Sequence, residues 1–138
     1  MANTRISILV KRASLEFDKL SNQLLVPYDL TGSQFKILMV LFRYPVGSIR
    51  QADIEAKFSM TNPTVSGLVQ KLEAKKLVER VPNPKDKRSK VLVPTEQAMA
   101  IRDDLLALSD KMEGRMTANL TDAEYDELAA LLNKMLNA

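Results

Sequence analysis

Cysteine and histidine are both missing from this 138-residue chain. Without cysteine there are no disulfides, thiol switches or thiolate-held metals. Without histidine, the commonest transition-metal ligand and the commonest general base are gone as well. No convergent carboxylate pair replaces them, because the adjacent Asp103 and Asp104 diverge by about 100° on a helix. The residues therefore offer no catalytic mechanism, metal site or cofactor, and an enzyme is not expected. Long apolar runs are missing too. The run Ile6–Val10 is five residues long and stops at Lys11 and Arg12. That is too short for a signal h-region or a membrane span, so a cytoplasmic protein with no membrane partner is expected.

What is present is an ordinary globular profile, 46% hydrophobic and 27% charged, at a length suited to one compact unit. The net charge of +3 is unevenly spread. Residues 1–45 carry six cations and three anions, residues 46–94 ten and five, and residues 95–138 four and nine. The middle is thus +5 and the C-terminal part −5, and a basic middle suits a polyanionic partner.

Periodicity organises the chain. Ile6, Val10, Ala13, Phe17, Leu20 and Leu24 give a helix-packing seam over residues 3–26, closed by Pro27. "LTGSQF" then supplies a capping box, Thr31 with Gln34, and a staple, Leu30 with Phe35. The helix that follows runs to about Tyr44 and is apolar nearly all round, as a buried helix is. After the Pro45–Gly47 turn, "RQADIEAKF" reads as a short helix with Ile54 and Phe58 inward. A break at 59–61 leads to a second short helix, with Asn62 as expected N-cap and Pro63 at the first helical position. Strands are expected at 77–81 and 90–94, then a helix with Ile101, Leu105, Leu108 and Met112 on its inner stripe. "LTDAEY" repeats the capping-box pattern (Thr121, Glu124; staple Leu120, Tyr125), and the last helix is expected to bury Tyr125, Leu128, Leu132 and Met135. A helix-turn-helix followed by a β-hairpin is a winged-helix order. The flanking helices carry more apolar surface than one chain can cover, which points to a shared dimer core.

Two constellations suit nucleic acid. With Val65, Leu68, Val69 and Leu72 inward, the second short helix presents Ser66, Gly67 and Gln70 outward, flanked by Asn62, Thr64 and Lys71. Small polar groups near a helix N-terminus can reach base edges in a major groove, although any amphipathic helix has a wet outer face. The hairpin "RVPNPKDKRSKVLVP" adds Lys85, Asp86, Lys87, Arg88 and Lys90 on a loop that Pro82 and Pro84 keep extended. Together with Lys71, Lys75, Lys76 and Arg80, residues 71–90 hold eight cations against three anions. A polyanion would relieve their mutual repulsion by counterion release; the plainer role of such a hairpin is to guard a sheet edge. Tyr28 and Tyr44 lie near the junction of the two parts, where an effector could meet them, although core or surface packing is their plainer role.

The segments "LTGSQFKIL" and "NPTVSGLVQKLEAKKLVERVPNPKDKRSKVLVPTE", in this order and spacing, resemble the MarR family of winged-helix bacterial transcription regulators. The most specific part runs from Leu72–Glu73 through Leu77–Arg80 to Asp86–Lys87–Arg88 and Thr95–Glu96. The resemblance implies a mainly α fold with a small β-hairpin wing (α+β). In it, residues 31–94 form a winged helix-turn-helix DNA-binding domain, and residues 1–30 and 95–138 form helical dimerisation regions. It implies a homodimeric repressor on a pseudo-palindromic double-stranded operator, released by a small aromatic or anionic effector. Asp86 would shape the wing and orient Arg88, which would enter the minor groove. This chain departs from the family pattern at Lys76 and Ala98, where glycines are usual, at Asn83, which replaces the wing's first acid, and at Gly67, where a longer polar residue is common. Arg50 takes the place of a Ser or Thr cap, where it could touch a phosphate or equally be a solvated surface arginine. The alternative from another class is a winged-helix module that binds an acidic protein and has no DNA sequence preference.

Overall fold

Helix α1 (Ile6–Leu25) gives way at Pro27 to a single 3₁₀ turn, Val26–Tyr28, in the computed structural model, which describes residues 5–137. Residues 1–4 and 138 of the expected dimerisation regions, including the first two positions of the expected helix, lie outside the described residues. Asp29 then takes a left-handed conformation (φ 53°), and Thr31 caps α2 (Gly32–Arg43). The expected capping box is present. Gln34 N–H donates to Thr31 Oγ1 and Thr31 N–H donates to Gln34 Oε1, both at 3.2 Å. Both staple residues, Leu30 and Phe35, are buried, and so is every residue from Ile37 to Phe42. Helix α2 is therefore the central rod of the fold.

The loop after α2 turns at Gly47 (φ 85°) into a strand that the sequence does not announce, β1 (Ile49–Arg50). Its partner lies far along the chain: Ile49 pairs with Leu92 and Arg50 with Val91. Helix α3 (Gln51–Phe58) follows, with Ile54 fully buried and Phe58 packed on the core. Ser59 turns the chain left-handed (φ 52°), and α4 (Asn62–Ala74) begins. Its N-cap is Thr61, not Asn62. The Thr61 hydroxyl accepts from Thr64 N–H, while the Asn62 amide is drawn away to Glu55 Oε2 at 3.0 Å. The cap moves back one residue because threonine can serve equally well and Pro63 tolerates either of the first two helical positions. Val65, Val69 and Leu72 are fully buried and Leu68 partly so, as the stripe requires.

Helix α4 ends in a Schellman motif. Lys76 N–H donates to the Glu73 carbonyl and Leu77 N–H to the Leu72 carbonyl. Lys76 stands at the left-handed position (φ 61°) where glycine is unstrained, a penalty of about 1 kcal/mol. Strands β2 (Val78–Asn83) and β3 (Asp86–Pro94) are longer than expected and leave only Pro84–Lys85 as the turn. The sheet order is β1-β3-β2, all antiparallel. Val78 and Leu92 close its inner face against α2 and α4.

The next helix is not one rod. Thr95 caps α5 (Glu96–Ala100), and the backbone tightens at Ile101, whose N–H reaches the Ala98 carbonyl, before α6 (Arg102–Met116) begins. Leu105 and Met112 reach the core. In α7 (Asp122–Leu136) the Thr121–Glu124 box is present, with reciprocal bonds of 2.9 and 3.2 Å. The expected burial of Tyr125, Leu128, Leu132 and Met135 is not found within one chain: they are 37–54% exposed. Ile6 and Val10 of α1 are exposed as well. The physical reason is placement. Helix α7 lies beyond the core, so its apolar stripe finds nothing of its own chain to pack on. No helix among the described residues is long and apolar enough to cross a membrane.

Candidate nucleic-acid interface

Glu55 ties the two helices of the helix-turn-helix together. Its Oε2 accepts from Asn62 Nδ2 (3.0 Å) and from Gln51 Nε2 (3.3 Å). Asn62, expected as a base reader, is thus at least partly committed to holding α4 against α3. Thr64 sits beside the cap, its hydroxyl 2.9 Å from that of Thr61. Gln70 and Lys71 are exposed, and Ser66 and Gly67 half-buried, on the side away from the core. A Cβ added at Gly67 would meet nothing within 4 Å. The centre of this face therefore has low relief, with Gln70 and Lys71 as its longest side chains.

The wing's shape comes from a skipped register. Pro82 pairs with Lys90, so an unbroken ladder would put Asn83 opposite Ser89, yet Asn83 pairs with Asp86. Lys87, Arg88 and Ser89 are the extra residues on β3, pushed out of the ladder. Short polar side chains hold the excursion. Asn83 Oδ1 accepts from Lys85 N–H (3.0 Å), and Asn83 Nδ2 donates to Ser89 Oγ (3.0 Å). Asp86 Oδ1 accepts from Arg88 N–H at 3.0 Å and lies 3.5 Å from Arg88 Nε. The Arg88 side chain is 93% exposed. Asn83 does by hydrogen bonding what an acid would do there, without adding a negative charge to the tip.

The basic field is smaller than the count of cations suggests. Arg80 pairs with Glu73 at 3.2 Å, and Lys75 turns inward to Asp29 and Gln34. Lys71, Lys76, Lys85, Lys87 and Lys90 form no ion pair among the described residues, and at the wing tip Arg88 pairs only with its neighbour Asp86. Arg50 lies at the N-terminus of α3, where Asp53 accepts from both its backbone N–H (2.8 Å) and its Nη2 (3.1 Å). The Arg50 guanidinium bond holds the Asp53 carboxyl below the ordinary carboxylate range, and the same bond raises the Arg50 pKa. Asp53 is thus the acidic cap that Arg50 itself cannot be, and only the N–H groups it leaves free could meet a phosphate.

A cavity of about 610 Å³ opens between α1, α2, α3 and α6. Phe17, Phe35 and Phe58 give it apolar walls, with Arg43, Lys36 and Lys57 at its polar edges and Asp18 as the one acid. Ser21 Oγ is buried there without a hydrogen-bond partner among the described residues. Lys57 Nζ donates to Tyr44 Oη (3.2 Å) and lies 5.3 Å from the Tyr44 ring centroid. Of the two junction tyrosines, Tyr44 lines the cavity and Tyr28 does not. No linear motif marks this cavity, because its walls come from four separate elements.

Known proteins share this architecture. A family model described as the MarR family matches residues 28–89. The multiple antibiotic resistance protein MarR of Escherichia coli (strain K12) is 30% identical over 129 residues, which cover 93% of this chain and 88% of that protein. Among solved structures, an S. aureus MepR–DNA complex is similar with a TM-score of 0.88 at 30% identity, covering 98% of both chains. A mutant E. coli MarR complexed with operator DNA gives a TM-score of 0.85 at 29% identity, over 95% of this chain and 93% of that one.

Proposed function

This chain belongs to the MarR family, and from that premise we propose that it is a homodimeric, sequence-specific, double-stranded DNA-binding transcription regulator. It acts in the cytoplasm as a repressor and has no catalytic activity. The observation that carries this reading is the winged helix-turn-helix lobe itself. It joins a low-relief α4 face to a tip of lysines uncommitted to any carboxylate, in a chain matching the fold of the MepR–DNA complex throughout. In this reading residues 31–94 are the DNA-binding domain, while residues 1–30 and 95–138 are the dimerisation regions. Thr64, Ser66, Gly67, Gln70 and Lys71 face the major groove. Asn62 keeps α4 in place and meets the DNA only at its edge. Lys85, Lys87 and Lys90 meet phosphates and Arg88, aimed by Asp86, enters the minor groove, where negative potential is deep. Arg50 adds a phosphate contact through the N–H groups that Asp53 does not use.

The exposed stripes of α7 and of the N-terminal half of α1 are the dimer surface, and the two-fold axis calls for half-sites about 34 Å apart. A small aromatic or anionic effector fits the cavity: phenylalanine walls, three cations at the edge and an unpartnered serine hydroxyl provide for an aromatic ring and a carboxylate. Because the walls belong to both the dimerisation helices and α3, an occupant would change the angle between them.

Anisotropy with labelled DNA from upstream of the protein's own gene tests the reading. Binding is expected to resist scrambled competitor and to weaken steeply with salt. Arg88→Ala should reduce affinity while the melting temperature stays unchanged, since its side chain is almost fully exposed. Equal binding of scrambled and upstream DNA would favour the protein-binding alternative.

A further inference from the structure

One cation of the basic segment behaves unlike the others. Lys75, at the C-terminal cap of α4, points back into the protein instead of outward with its neighbours. Its Nζ donates to the Asp29 carbonyl and, at 2.9 Å, to Gln34 Oε1, and the Asp29 carboxylate lies 3.9 Å away. Gln34 is itself buried, and the same Oε1 accepts from Thr31 N–H in the capping box of α2. Asp29 is the left-handed residue that ends the 3₁₀ turn, held there by its own N–H on the Val26 carbonyl. The stretch 26–31 is the only covalent link between α1 and α2. One ammonium therefore ties the end of α4 to the joint through which α1 enters the DNA-binding lobe, across 41 and 46 residues of chain.

We infer that Lys75 is a positioning residue that fixes the angle of the recognition helix to the dimerisation helix α1, and that it does not contact DNA. Its consequence for DNA binding rests on the proposed function; its consequence for helix geometry does not. In a two-fold dimer, a small rotation of α4 against α1 is doubled between the two half-sites, so the clamp bears on half-site spacing. The Asp29 and Gln34 contacts account for the donors that a phosphate would otherwise use. The three acceptors also explain why a lysine stem at the end of α4 is ordered inward, although its side chain is 28% exposed.

Two readouts test this on Lys75→Met, which keeps the stem and removes the ammonium. Because the chain lacks cysteine, Lys19→Cys and Gln70→Cys can carry spin labels in α1 and α4. Diluted with unlabelled protein, they report the intraprotomer distance by double electron–electron resonance. The expected result is a shifted or broadened distribution in Lys75→Met; an unchanged distribution overturns the inference whatever the protein binds. Unlabelled protein is then titrated with its upstream DNA over a range of salt. Affinity should fall roughly 2- to 30-fold, the span of coupling energies carried by such networks, with the salt slope unchanged. A slope lowered by about 0.9 per protomer would make Lys75 a phosphate contact and overturn the inference. Unchanged affinity would overturn it too. A wild-type protein without sequence preference would sink the proposed function, while the distance measurement would still decide the role of Lys75. If Lys75→Met does not fold, Lys75→Gln carries the same outcomes.

Discussion

Gly67→Ala is expected to make the protein more stable and worse at binding its operator. Gly67 lies in the interior of α4, where glycine is about 0.8–1.0 kcal/mol less favourable than alanine. It has no left-handed backbone to preserve, and an added Cβ meets nothing within 4 Å. Nearly the whole propensity difference should therefore appear as stability. With an unfolding entropy of about 2.1 cal/mol/K per residue, 138 residues give roughly 0.29 kcal/mol/K, so a gain of about 1 kcal/mol raises the melting temperature by about 3 °C. On the DNA side the methyl occupies the centre of the outer face of α4. A helix seated closely in the major groove must then withdraw or lose a base contact, and one misfit position costs about 1–3 kcal/mol, at least about fivefold in affinity. Thermal unfolding and anisotropy on the upstream DNA measure the two effects. The opposite signs are the point, since a merely destabilising change cannot produce them. Unchanged affinity and base preference would remove Gly67 from the DNA face, and a lowered melting temperature would refute the packing argument.

The apolar stripe of α7 should behave as a subunit interface. Leu132→Lys, alone or with Leu128→Lys, forfeits about 1.5–3 kcal/mol of burial per leucine, so light scattering after size exclusion should show a monomer at micromolar concentration; a dimer that persists would place the interface elsewhere. Asp53 should give the protein an acid-sensitive cap on α3. Its folded pKa is depressed by Arg50, so the unfolded state binds its proton more readily. The stabilisation is present above the ordinary aspartate value, near 3.8, and is lost as pH falls through the lower folded value. Urea unfolding of wild type and Asp53→Asn should differ at pH 7, with a gap that narrows as pH falls below the ordinary aspartate value of 3.8, whereas a gap that stays constant through the acid limb would refute the linkage.

How much of this was legible in the sequence depended on how local the cause was. The boxes at Thr31–Gln34 and Thr121–Glu124 were readable because both partners lie within one turn. The same locality misplaced the cap of α4 by one residue, since Thr61 and Asn62 are both good caps and only the distant Glu55 decides between them. Strand β1 is two residues long and exists through Leu92 and Val91, so no periodicity could reveal it. The winged-helix order and the family were legible from the chain, and the matches to MarR and MepR bear them out. Counting charges overstated the basic field, because Lys75 and Arg80 are spent on partners that sequence distance hides. The stripe of α7 is legible as apolar, and its exposure in a single chain agrees with the excess of apolar surface on the flanking helices. The break at Ile101 carries no proline or glycine to announce it.

In the proposed function a two-fold dimer reads DNA through α4 and the wing. Hydroxyl-radical footprinting on the DNA upstream of the protein's own gene tests it most directly. Two protected patches related by a dyad are expected, centred about 10–10.5 base pairs or a multiple of that apart, with minor-groove protection that fades in Arg88→Ala. A single patch without a dyad, or uniform protection independent of sequence, would contradict it.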